Sequence, residues 1–168
     1  MAVEKSGSSP SPLDMLPSNR RLVLLGDDEY ACNVVATRIA KLKREASKAM
    51  SPLSLPAQIT LCGPMAMKAA FYDRPKDYCG RGRPSMKGPR LPSPRQLAAD
   101  TSIDWQTKTV HIYGRTVDIL TKTQTGMWYS VTGLRVVRMV VTRDPKGRID
   151  DRAYFVTDAD WTVEQVIV

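Results

Sequence analysis

Histidine is nearly absent from this chain, with His111 as the only one. This excludes the His-rich zinc sites and leaves a Ser-His-Asp arrangement no spare imidazole. Within the alternating stretch Val110-His111-Ile112-Tyr113, it reads as a strand surface residue rather than a ligand. Cysteine is scarce too. Cys32, Cys62 and Cys79 are odd in number and never form a Cys-x-x-Cys pair, which argues against a disulfide framework or a zinc knuckle and for a reducing compartment. No apolar run approaches the roughly 18 residues of a membrane span. The opening MAVEKSGSSPSPLDMLPSNRR has no apolar stretch of the signal-peptide kind, so residues 1–20 are expected to be a disordered lead-in. A phosphate-cradling Gly-rich loop, a nucleophile elbow and a metallohydrolase His motif are all missing.

What is present is positive charge. Twenty-five basic residues against 17 acidic ones leave a net +8, which favours a polyanionic partner such as nucleic acid. The distribution of that charge says more than its sum. Between Arg74 and Arg95 stand seven basic residues, one acidic residue, five prolines and three glycines. Such a segment cannot bury a core, so residues 73–104 are expected to be an extended basic loop or linker.

On either side of it the hydrophobic pattern differs. Leu22-Val23-Leu24-Leu25 is a continuous apolar run, as in a strand buried on both faces, and Ala31 to Met50 has helical spacing. Ala57 to Cys62 reads as a second strand, broken by Gly63-Pro64. Strand, helix, strand makes a parallel crossover, and residues 21–72 are read as a partial α/β core. From Trp105 onward the period is two, with strands expected over Trp105–Tyr113, Thr116–Thr121, Met127–Ser130, Leu134–Thr142 and Tyr154–Thr157. Asp144-Pro145-Lys146-Gly147 is a turn signal. Residues 105–158 are thus expected to be an antiparallel β subdomain. Over 159–168, Thr162 and Gln165 have capping-box spacing, opening a helix that looks cut off at Val168.

Three groups of residues could carry chemistry. Asp27-Asp28-Glu29 follows a buried strand, where carboxylates can hold Mg²⁺ for phosphoryl transfer, or where an aspartate simply caps the next helix. Cys79-Gly80-Arg81-Gly82-Arg83-Pro84, with Lys87, Arg90 and Arg95 behind it, resembles an AT-hook that enters an A·T minor groove; the same residues also suit a solvated linker touching phosphates. The aromatic residues Trp105, Tyr113, Trp128, Tyr129, Tyr154 and Phe155 could stack on bases, and are equally the material of a β core.

Leu22 to Tyr30, Ala69 to Pro75, the Gly82-Arg83-Pro84 run, and Val140 to Pro145 through Phe155 to Asp158 together resemble bacterial insertion-sequence transposases of the DDE type. In that family an RNase H-like core carries an inserted β subdomain. The resemblance implies metal-dependent DNA cleavage and strand transfer at transposon ends, Mg²⁺ or Mn²⁺ as cofactor, oligomers on DNA, and a cytoplasmic, nucleoid-associated protein. It implies that Asp27 is one carboxylate of the catalytic triad, with the other two outside residues 1–168. Pro64 to Lys68 departs from the family's basic-x-basic-x-Asp run. The expectation is an inactive transposase fragment. The alternatives are a non-catalytic basic DNA-binding module and a pseudogene product without function.

Overall fold

A computed structural model describes residues 21–27, 33–48, 58–77, 80–112 and 114–167. The expected lead-in over 1–20, and Asp28, Glu29, Cys32, Cys79 and Tyr113, lie outside the described residues. Strand β1 (Arg21–Leu25), helix α1 (Asn33–Lys48) and strand β2 (Gln58–Met65) form the expected crossover, with β1 parallel to β2 and Leu25 opposite Cys62. Strand β2 does not stop at Gly63-Pro64. These residues lie beyond the end of β1 and pair only with a strand on the other side, and a proline is tolerated where one side of a strand is open.

That other strand decides the architecture. After β3 (Phe71–Tyr72), β4 (Arg90–Leu91) and α2 (Pro94–Ala99) come β5 (Gln106–Ile112), β6 (Arg115–Met127), α3 (Tyr129–Thr132), β7 (Val136–Arg143), β8 (Arg152–Val156) and α4 (Val163–Ile167). Strand β8 pairs antiparallel with β2, Cys62 facing Val156 and Met65 facing Ala153. The described strands therefore make one eight-stranded mixed sheet in the order β1-β2-β8-β7-β6-β3-β4, with β5 paired to β6. This corrects the expected fold class: the protein is β-rich, not an α/β, partial RNase H-like core followed by an antiparallel β insertion. Only α1, at 16 residues, is a long helix among those described.

The sequence pattern explains why the two halves fuse. In β2, β7 and β8 neighbouring residues are buried on opposite faces. Leu61, Met139, Val141 and Phe155 join Ile39 of α1 and Leu97 of α2 in one core, while Cys62, Val140 and Val156 meet Trp161, Val163 and Val166 in another. Strands apolar on both faces need neighbours on both edges and cover on both sides, which a separate two-stranded unit could not supply. Strand β6 is continuous where two strands were expected, because the alternation of Thr121-Lys122-Thr123-Gln124-Thr125 carries the pleat through to Met127. Met127–Ser130 is correspondingly not a strand of its own, and Tyr129 begins α3.

Local signals hold where they are self-contained. Gly147 N–H donates to the Asp144 carbonyl at 2.9 Å, and Gly147 has φ of 63°, closing the β7–β8 turn. At α4, Thr162 N–H donates to Gln165 Oε1 at 2.9 Å and Gln165 N–H to Thr162 Oγ1 at 3.4 Å, forming the expected capping box. Among the described residues, no helix is long and apolar enough to cross a membrane.

Candidate nucleic-acid interface

The basic segment is a loop pinned at its base, not a free tether. Strands β3 and β4 pair antiparallel, Phe71 opposite Leu91 and Tyr72 opposite Arg90. Asp73 N–H donates to the Pro89 carbonyl at 2.9 Å and Gly88 N–H returns to the Asp73 carbonyl at 3.1 Å. At Gly88 the two limbs approach so closely that a Cβ would sit 2.2 Å from the Arg74 carbonyl oxygen, so only glycine fits. Nearby, Ser85 Oγ donates to the Lys87 carbonyl at 2.6 Å. The chain leaves through a helix start hidden inside the expected linker. Ser93 caps α2 reciprocally with Gln96, and Pro94 occupies the first turn. The Ser-Pro-Arg-Gln spacing could have revealed this helix from sequence, had composition not favoured a linker.

Lys87 is held where the loop meets the sheet. Its ammonium lies 4.8 Å from the centre of the Tyr72 ring on β3 and 4.6 Å from that of Tyr129 on α3. Two aromatic faces around one cation tie the loop to the body by cation–π attraction. Arg74, Lys76, Arg81, Arg83, Lys87, Arg90 and Arg95 are all exposed. The structure thus gathers the expected DNA-binding residues Arg81, Arg83, Lys87, Arg90 and Arg95 on one hairpin and its exit, with Arg95 in the first turn of α2.

Asp27 stands elsewhere. It is exposed in the loop after β1, just past Gly26, whose N–H donates to the Cys62 carbonyl at 2.9 Å. In the strand order β1 is one end and the β3–β4 hairpin the other, so four strands lie between the acidic corner and the basic hairpin. Among the described residues, no three His, Cys, Asp or Glu side chains come together to hold a metal ion. The described residues therefore do not fit the Mg²⁺ or Mn²⁺ that the transposase resemblance implies, since Mg²⁺ takes a near-octahedral set of oxygen ligands.

A cleft of about 760 Å³ lies beside this corner, lined by Leu25, Cys62, Ile112, Val117, Ile149 and Ile167 among others. Three charged residues of its rim, Arg143, Asp144 and Arg148, are held in ion pairs. The Arg143 guanidinium bonds both oxygens of Asp151, at 2.8 and 2.6 Å, and holds that carboxyl below its usual range. The backbone N–H of Lys146 does the same for Asp144, helped by Arg148. Burial pushes the Cys62 thiol up to about 11, so it is no thiolate nucleophile at neutral pH.

The aromatic residues divide between the two readings. Trp128 and Phe155 are core, packed edge to face at 5.1 Å. Trp105 lies between the Lys122 ammonium at 4.7 Å and the Arg143 guanidinium at 4.2 Å. Lys122 is itself buried and donates to the Leu97 carbonyl at 3.2 Å and to the Asp100 carbonyl, closing the C-terminal end of α2. His111 is exposed on β5, with Nδ1 3.4 Å from Thr116 Oγ1, as expected of a strand surface residue. Compared with known proteins, the chain matches no family model, no curated protein and no solved structure.

Proposed function

We propose that this chain is a DNA-directed protein of transposase origin, which engages DNA through its basic hairpin and does not cleave it. The observation carrying this reading is the hairpin itself: seven exposed basic side chains on one loop and its exit, pinned by the Lys87 clamp and close backbone packing rather than left as a tether. A pinned cationic loop loses less conformational freedom on meeting phosphates than an open chain does. The resemblance to insertion-sequence transposases supports the origin. The single described aspartate of the triad, Asp27, supplies too few oxygen ligands for a two-metal reaction.

Fluorescence anisotropy with labelled DNA across a salt series tests the binding. The affinity should fall linearly in log–log form as salt rises, and Arg81→Ala with Arg83→Ala should flatten that slope by ~2 while leaving the melting temperature unchanged. Failure to bind DNA at low salt would remove the proposal. A nicking assay with Mg²⁺ or Mn²⁺ should show no product, and product that disappears in Asp27→Ala would restore the catalytic reading.

A further inference from the structure

We infer that the outward face of α1 is a second DNA-contacting surface, joined to the basic hairpin through α3 so that both grip one duplex. This rests on the DNA-directed reading above and adds the second surface and the form of the nucleic acid.

Helix α1 carries five basic residues, Arg38, Lys41, Lys43, Arg44 and Lys48, against one acidic residue, Glu45. Its inward face is settled by the core: Ile39 is buried, and Val35 and Ala36 pack beside it. At 100° per residue, Arg38, Lys41 and Arg44 fall on the opposite side, and all three are exposed. A helix buried on one face and cationic on the other displays a row of charges, the form in which helices meet phosphate backbones.

What makes this row part of the same interface is its anchorage. Asn33, in the first turn of α1, donates from Nδ2 to the carbonyls of Ser130 and Val131 at 3.1 and 3.3 Å. Tyr129, the residue before Ser130, is one of the two rings that hold Lys87. The hairpin and α1 are therefore fastened to adjacent residues of a four-residue helix whose sequence, Tyr-Ser-Val-Thr, places no acidic group between them. Two cationic surfaces, fixed to one short helix, suit a stiff polyanion that reaches both at once. Duplex DNA has that stiffness and a dense line of phosphates, whereas a flexible single strand gains little from the fixed spacing.

The test compares the full-length chain with Arg38→Ala/Arg44→Ala, with Arg81→Ala/Arg83→Ala and with all four changes, on a labelled duplex and on one of its single strands. On the duplex each double variant should bind roughly tenfold more weakly at moderate salt and lower the salt slope by ~2, and the fourfold variant should lower it by ~4. Arg38→Lys/Arg44→Lys should restore binding, because phosphate contact needs the charge and not the guanidinium fork. Wild-type affinity in Arg38→Ala/Arg44→Ala, with weakening in the loop variant, would overturn the second surface while the DNA-directed reading stands. Equal affinity for duplex and single strand would overturn the duplex assignment. Absence of wild-type binding to either would bring down both readings together.

Discussion

The middle of the sheet and the basic hairpin attached to its edge are built by opposite means. In β2, β8 and β7 nearly every residue between Leu61 and Met65, Val137 and Val141, and Ala153 and Val156 is buried, and position is enforced from both faces by packing. In the hairpin from Asp73 to Pro89 nearly everything is exposed, and position is enforced from the base by two backbone hydrogen bonds, one glycine contact and the Lys87 clamp. On the proposed DNA-directed reading, the difference separates stability from recognition. Charges that are to meet a polyanion must stay solvated until it arrives, so the surface carrying them cannot contribute much burial, and its geometry has to be borrowed from the sheet.

The contrast can be broken or sharpened by substitution. Phe155→Ala removes a fully buried ring that packs on Trp128, and should destabilise the protein by about 3–5 kcal/mol in urea unfolding, with the proposed DNA binding lost only because the fold is lost. A cost below about 1 kcal/mol would mean that the middle is far looser than the close packing of native cores requires.

The Cys62 thiol gives a smaller effect with a defined pH window. Burial raises its folded value from the ordinary 9.0 to about 11. The folded state then holds the proton more tightly than the unfolded chain, so the contribution is complete below pH 9.0 and is lost as pH climbs towards about 11. The advantage of the wild type over Cys62→Ala should shrink by about 2–3 kcal/mol across that interval. A difference independent of pH would show that the thiol is not sealed beneath α4.

The smallest effect lies at the hairpin. Lys87→Ala should cost only about 0.5–1 kcal/mol globally, the range of an exposed cation–π contact. Limited trypsin digestion after Arg81, which glycine follows, should nevertheless quicken several-fold, because the loop opens while the sheet stays folded. Unchanged digestion would mean that the backbone bonds alone hold the loop.

Much of the local structure was legible in the sequence. The parallel pairing of β1 and β2, the turn at Asp144 to Gly147 and the Thr162–Gln165 cap each depend on residues close in sequence or on a pattern written within one element. The fold class was misread because an apolar run with no alternation shows that a strand is buried on both faces but not which strand lies beside it. Phe155 and Val156 could not announce that their neighbours were Gly63 and Cys62, some ninety positions earlier. The site was half legible. The concentration of Arg81, Arg83, Lys87, Arg90 and Arg95 was plain, but prolines and glycines look alike in a tether and in a pinned loop, and the clamp depends on Tyr72 and Tyr129 meeting across the sheet edge.

By itself, then, the sequence determined a basic, cysteine-poor chain with strands of period two, a helix of period near 3.6 and one dense cationic segment, because composition and short-range periodicity are properties of the covalent chain. Tertiary structure alone decided that β8 joins β2, that the cationic segment closes into a hairpin, and that α3 holds this hairpin and α1 on adjacent residues. Those outcomes follow from which buried faces and unpaired strand edges satisfy one another across long separations, and no window of the sequence contains both partners.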